Sequence, residues 1–243
     1  LAAIQDGDFR NRLIEEAKRM EPSDSIFQTL GSSGFSLPPA RSFWMGVDDQ
    51  PHYPAGEEMS LGGLAREAGE HPGETWLRLM LESEGEGLFH VRFVNQDMSV
   101  LPDFLRADWI VPGVGDAGAH ISMISDVGWA SFVLSYWHRE RGEFSLEEAI
   151  HMLTAKQARV LDFKDRGILQ VGLKADINVI DIDRVAERQP KRVYDFPQNA
   201  PRLLQRAVGY RNTVVNGQVI LENDELTGER SGRVLRNRGG ELT

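Results

Sequence analysis

The side chains able to do chemistry gather in Val111-Pro112-Gly113-Val114-Gly115-Asp116-Ala117-Gly118-Ala119-His120. One carboxylate and one imidazole stand here among small residues. Gly115, Ala117, Gly118 and Ala119 let the backbone turn sharply and keep bulk away from Asp116. A carboxylate so exposed is well placed to meet a ligand or a metal ion. The same residues also allow a plainer reading, in which Asp116 caps the following helix and Gly118 is ordinary turn chemistry. Asn95 and Asp97 make a second polar point, at the end of the run Leu88–Asn95. No complete catalytic constellation is present elsewhere. The six histidines are scattered, with no His-x-His, no His-Glu-x-x-His, no Gly-x-Ser-x-Gly and no Walker-type glycine loop. Cysteine is absent, which excludes disulfides, a thiolate nucleophile and a Cys-based zinc site.

The elements that must position these groups can be read from periodicity. Trp109-Ile110-Val111 reads as a strand that stops at Pro112-Gly113. Asp116 then falls at the C-terminal mouth of a strand, which in a (β/α)8 barrel is where catalytic groups sit. In Leu88–Asn95, Phe89, Val91 and Phe93 alternate with Leu88, His90, Arg92 and Val94, which predicts a strand. Its His90 and Arg92 share one face, turned to solvent or to a packed helix, and Asn95 and Asp97 close its C-terminal end. Ser99–Leu105 reads as a short helix between these strands, giving the parallel α/β rhythm.

Further helices are expected over Phe9–Met20, over Leu61–Ala68 between Ser60 and Gly69, and from His71-Pro72-Gly73-Glu74 onward with Trp76, Leu77, Met80 and Leu81 inward. Trp129–Arg141 is apolar on one side. Ser145-Leu146-Glu147-Glu148 is a capping box, and Thr154-Ala155-Lys156-Gln157 reads as a second, opening a helix to about Asp162. His52 reads as a surface residue, His138 as solvent-facing or at a helix C-terminus, and His151 as structural. The pattern changes at Gly167. Ala175–Asp181, Ala207–Tyr210, Asn212–Val215 and Val219–Leu221 are strand-like, with an Asn216-Gly217 hairpin turn. The expected organisation is an α/β unit over 1–166 and an antiparallel β unit over 167–243.

The 243 residues carry a formal net charge of −10, which disfavours non-specific binding to nucleic acid or an anionic membrane. No apolar run approaches the ~20 residues that span a bilayer, and the first residues do not resemble a signal peptide. A cytoplasmic protein is the default expectation. The chain starts with Leu1, which suggests a beginning in mid-sequence.

Gly115-Asp116-Ala117-Gly118-Ala119-His120 resembles the Ser-Asp-Ala-Gly-Ala-His signature of the amidohydrolase superfamily, in its N-acyl-D-amino-acid deacylase (D-aminoacylase-like) branch. Three further stretches are similar to that family, in order. They are Thr154–Arg159 followed by Asp165-Arg166-Gly167, then Gly172–Asp181 with its Ala175-Asp176-hydrophobic core, then Val215-Asn216-Gly217 with Gly228 and Gly232–Arg236. The resemblance implies the later strands of a (β/α)8 TIM-type barrel over 1–166 and the C-terminal half of a small antiparallel β-sandwich over 167–243. It implies a metal-dependent hydrolase of non-peptide amide bonds, with a small N-acylated substrate. Asp116 would bind a divalent metal, zinc by family habit, take a proton from the attacking water and return it to the leaving amine. His120 and Asn95 would serve in substrate binding or in hydrogen bonds behind the metal shell. The family's His-x-His and its other metal-binding histidines would lie upstream, so this chain is expected to be a fragment, inactive alone, that pairs with its missing N-terminal part or with another copy. Ser122–Gly128 lacks the basic residue that D-aminoacylases proper carry there, which points to the broader amide-hydrolase class. The alternative is a non-catalytic scaffold that keeps the fold.

Overall fold

The computed structural model describes residues 2–19, 38–53, 56–92, 97–113, 115, 117–118 and 126–235. Two compact units divide the chain, Leu1–Leu101 and Pro102–Thr243. Both mix helices with strands, and every strand pair among the described residues is antiparallel. No described helix is long and apolar enough to cross a membrane.

In the first unit the opening amphipathic stretch forms the helix Gly7–Arg19. Asp6 starts it, its Oδ1 accepting from the amides of Asp8 at 2.9 Å and Phe9 at 3.0 Å. These are donors that a first helical turn leaves unpaired. The Leu61–Ala68 helix follows its local signals: Ser60 Oγ accepts from the Gly63 amide at 3.1 Å, and Gly69 closes the helix at a left-handed φ of 67°. Proline accounts for only part of the next start, because His71 is itself the cap of Pro72–Glu82. His71 Nδ1 accepts from the Gly73 amide at 3.2 Å, while Glu74 Oε2 accepts from the His71 amide at 2.7 Å. Leu61, Ala65, Leu77 and Met80 are buried, as are Phe43 and Met45.

Strands β1 (Ser42–Trp44) and β2 (Phe89–Val91) form an antiparallel ribbon with Phe43 opposite His90. The strand expected over Leu88–Asn95 is therefore shorter among the described residues, and its partner is antiparallel. Its polar side chains are not turned to solvent. Arg92 is 8% exposed, its guanidinium 3.9 Å from the Phe43 ring centroid, where the electron-rich face attracts a cation. His90 packs edge-on against Tyr53 with ring centroids 5.4 Å apart.

In the second unit Trp109–Val111 is not a strand. The Ile110 amide donates to the Ala107 carbonyl at 3.1 Å in a turn, Pro112 has no amide hydrogen, and Trp109 is 79% exposed. A strand needs a neighbour to take its backbone groups; here the Ile110 amide goes to a turn and the Pro112 carbonyl to the side chain of Gln157. The Trp129–Arg141 segment is helical as its pattern predicts, but only Trp129–Phe132 is α, and Val133–Glu140 winds as a wider π-helix. Phe132 stacks on Tyr136 at 4.7 Å, and Trp137 meets Phe144 edge-on at 6.4 Å. His138 ends this helix, its Nδ1 donating to the Phe144 carbonyl at 2.9 Å. The Leu146–Leu153 helix opens on the expected box, Ser145 Oγ accepting from the Glu148 amide at 3.2 Å and Glu148 Oε2 from the Ser145 amide at 2.8 Å.

The Ala155–Val160 helix does not open on its expected box. Thr154 Oγ1 turns back to donate to the Ile150 carbonyl at 2.7 Å and caps nothing. Beyond it come β3 (Ile177–Ile180), β4 (Ala186–Glu187), β5 (Lys191–Val193), β6 (Arg202–Leu204), β7 (Ala207–Val208), β8 (Tyr210–Val215), β9 (Gln218–Glu222) and β10 (Glu225–Leu226). The larger sheet runs β10-β9-β8-β3, with ribbons β4-β7 and β5-β6 beside it in sequence. The β8–β9 turn has Asn216 at φ 49° and Gly217 at φ 80°, the two positive angles that a type I′ hairpin requires.

Candidate functional site

Asp116, His120 and Asn95, to which the sequence assigns chemistry, lie outside the described residues. The structure describes instead the frame on either side of the Asp116 stretch, all within the second unit. The approach is held by consecutive side chains of the Ala155–Val160 helix. Lys156 is 4% exposed, and its Nζ donates to the carbonyls of Leu105 at 3.2 Å and Ala107 at 2.7 Å. Gln157 Nε2 donates to the Pro112 carbonyl at 2.7 Å. The Leu101–Arg106 helix ends here, so the Lys156 cation meets carbonyls at its C-terminal end and the negative dipole end that favours a cation. A buried ammonium without such acceptors would be costly.

On the return side Gly115 and Asp126 back onto each other. A Cβ at Gly115 would lie 2.1 Å from the Asp126 carbonyl oxygen, so only glycine permits the approach. The two ends of the intervening segment thus meet. Gly128 is also tightly packed, since its Cβ would fall 2.9 Å from Glu187 Cβ.

A second polar cluster joins three of the stretches singled out in the sequence. Arg166 Nε donates to Asp165 Oδ1 at 2.9 Å, and Arg166 Nη1 to Asp176 Oδ2 at 2.7 Å. Asp176 Oδ1 accepts from the Asn216 amide at 2.7 Å, and the Ala175 carbonyl from the Gly217 amide at 3.0 Å. Hydrogen bonds from Arg166 hold the Asp165 carboxyl below the usual carboxylate range and push the guanidinium up in turn. The arrangement ties the hairpin turn to the start of β3. It is a clamp between backbone segments, and each of these groups is occupied by another.

The described histidines are engaged separately. His52 Nε2 lies 3.1 Å from Asp48 Oδ2 on an exposed loop, as its surface reading predicts. His71 and His138 serve helix ends, and His151 is exposed on its helix. His90 is pushed down to about 4 by burial first and by the Arg92 charge second, so its ring is neutral at pH 7. Its Nδ1 is enclosed with no hydrogen-bond partner among the described residues. Asp97, which the sequence places with Asn95 at the end of the Leu88–Asn95 run, is a cap: its Oδ1 accepts from the Ser99 amide at 2.9 Å and from Ser99 Oγ at 2.6 Å. Those bonds hold its carboxyl below the ordinary range. Among the described residues no group of three or more His, Cys, Asp or Glu is arranged to hold a metal ion. The described part does not by itself fit a metal centre.

Lys156 and Gln157 are the positioning side chains that pattern reading passes over, because both are absorbed into an apparent capping box. One signal was available. A lysine in the first turn of a helix opposes the positive end of the helix dipole, so it needs a partner elsewhere.

Comparison with known proteins bears on this frame. The amidohydrolase family matches residues 89–221 of the 243. A D-aminoacylase of Alcaligenes xylosoxydans xylosoxydans is 33% identical over 109 residues, covering 44% of this chain and 21% of the relative. An N-acyl-D-glutamate deacylase of the same organism is 36% identical over 110 residues, covering 44% and 20%. The matched stretch thus spans about a fifth of the length of these relatives. A solved D-aminoacylase, described for its binuclear metal centre, superposes on 95% of this chain and 46% of its own with TM-score 0.49 and 21% identity. That superposition is partial and decides nothing about the fold by itself.

Proposed function

The chain belongs to the amidohydrolase family, in its D-aminoacylase-like branch, and on that premise we propose that it forms the later part of a metal-dependent hydrolase of non-peptide amide bonds. Its substrate class is a small N-acylated amino acid. In this reading 1–166 supplies the later strands and helices of a (β/α)8 barrel and 167–243 part of an antiparallel β-sandwich. The trace from Ile177 onward, antiparallel throughout among the described residues, supports the second half of that division.

Asp116 is the residue of this chain that does chemistry. It takes the proton of the attacking water as that water adds to the amide carbonyl, then gives it to the departing amine nitrogen, so a C–N bond breaks and a proton is returned. A divalent metal, zinc, when bound would lower the pKa of the water toward ~7 and polarise the carbonyl. Of this chain's residues Asp116 would hold it, the other ligands coming from the preceding part of the polypeptide. His120 and Asn95 take supporting roles, in hydrogen bonds to the Asp116 loop or to the substrate. The surface charge of −10 supports a small-molecule substrate over nucleic acid or membrane, and the reading keeps the protein in the cytoplasm.

The observation that carries the proposal is the family match across 89–221, which takes in Asp116 together with the stretches around Thr154, Asp165 and Asp176. The test is an assay of the full-length protein, zinc-supplemented, against a panel of N-acyl amino acids, beside Asp116→Asn. The expected loss in kcat is at least about 10²-fold, the low end for a proton-transfer group. Equal rates would remove Asp116 from the chemistry. The chain alone is expected to turn over none of the panel.

A further inference from the structure

The stretch that carries Asp116 has a mechanical problem. Gly113, Gly115 and Gly118 bring no side chain that could anchor it, and Pro112 offers no amide hydrogen to tether it. The residues leading into it, 108–113, belong to no ladder among the described residues. A carboxylate that must shuttle a proton has to be held within hydrogen-bond reach of its water. Something other than a sheet has to fix the segment.

We propose that Gln157 is a positioning residue for the Asp116 segment, acting through the Pro112 carbonyl, with Lys156 setting the backbone just upstream. The geometry behind this is specific. Gln157 reaches across a sequence separation of 45 residues to place Nε2 2.7 Å from the Pro112 oxygen. Lys156, its neighbour, takes the carbonyls of Leu105 and Ala107. Adjacent side chains of one helical turn thus grip three carbonyls on the path to Asp116. The far end is fixed separately, where Gly115 lies against Asp126. Gln157 uses a donor, so the position demands an N–H or O–H, not merely a polar atom. The inference that the grip serves Asp116 rests on the reading of Asp116 given above; the grip on the segment itself does not.

The experiment uses the full-length protein with Gln157→Leu and Gln157→Glu. Leucine keeps much of the bulk and loses the donor. Glutamate keeps the shape but donates only when protonated. Amide exchange followed by mass spectrometry is expected to speed up about tenfold in the 113–118 peptide of Gln157→Leu, with the β8–β9 hairpin unchanged. In the assay kcat is expected to fall about 10- to 100-fold, with KM changed less than about threefold, the pattern of a misplaced group rather than a lost binding contact. The kcat of Gln157→Glu relative to wild type is expected to rise as the pH drops from neutral toward 5, as its carboxyl gains the donor hydrogen. A side chain that served only to fill space would not give that recovery. Unchanged exchange at 113–118 overturns the proposal. So does faster exchange with unchanged kcat in an active wild type. If the wild type hydrolyses nothing while exchange at 113–118 still rises, the hydrolase reading fails and the grip on the segment stands.

Discussion

Ser145 and Thr154 begin two sequence patterns of the same form, nine positions apart, and they fold differently. At Ser145 the box closes on itself, hydroxyl to the Glu148 amide and carboxylate to the Ser145 amide. At Thr154 it does not form. The threonine hydroxyl bonds back to Ile150, and the glutamine in the fourth position reaches Pro112 instead. The difference lies in what else is within reach. Glu148 stands on an exposed turn, where the nearest unpaired donor is the local amide. Lys156 and Gln157 face a stretch of backbone that belongs to no ladder among the described residues, and a part-buried carbonyl is a stronger claim on a donor than an exposed amide is on an acceptor.

The comparison can be broken or sharpened by substitution. The largest effect is expected at Lys156. Lys156→Met keeps the stem and removes the ammonium, taking the charged donor from the Leu105 and Ala107 carbonyls and leaving Ala107 only its bond from the Ile110 amide. The expected destabilisation is about 2 kcal/mol by chemical denaturation, since an acceptor that loses its donor costs about 1–3 kcal/mol. A loss no larger than that of an ordinary surface change would mean those carbonyls find water. Next comes Ser145→Ala, expected to cost about 1 kcal/mol as a lost helix cap. Thr154→Ala should stay within about 0.5 kcal/mol, because its hydroxyl caps no amide. Equal costs at the two positions would restore the second box.

The smallest effect is a pH dependence. The amide of Ser145 holds the Glu148 carboxyl below its ordinary range, with a smaller contribution in the same direction from the Ser145 hydroxyl. A carboxyl depressed in the folded state contributes stability that is present above its unfolded pKa and is lost as pH falls through its folded pKa. The stability gap between wild type and Glu148→Gln is therefore expected at neutral pH and should close in acid. The gap between wild type and Thr154→Ala should not move with pH, as neither Thr154 nor Gln157 titrates. Denaturation curves at a series of pH values check both.

The same contrast explains how much could be read in advance. Helix ends built from neighbours in sequence, at Ser60, Gly69 and Ser145, were legible, and so was the Asn216-Gly217 turn. Each depends on dihedral preference and on a donor and acceptor within four residues. Trp109–Val111 reads as a strand and is not one, because an apolar run says nothing about whether a partner strand lies beside it. The surroundings of His90 and Arg92 are open in the sequence for a related reason. Alternation puts them on one face, but only the rings of Phe43 and Tyr53 make that face an interior one. Asp97 had the right position for chemistry by strand-end logic, yet Ser99 had a nearer use for it. The Asp165-Arg166, Ala175-Asp176 and Asn216-Gly217 stretches were recognised as belonging together by their order. That they meet in one clamp, with Arg166 between two carboxylates, is a fact of the fold.

Sequence alone determined the family, the net charge, the short-range caps and the hairpin turn, since each is carried by residue identity at fixed small separations. Tertiary structure decided which polar side chains serve the chain's own backbone over long distances: Lys156 and Gln157 on the path to Asp116, and Asp176 at the hairpin turn. The physical reason is that a hydrogen-bond donor goes to the acceptor whose neglect would cost most. That cost is set by burial, which no local pattern of residues records.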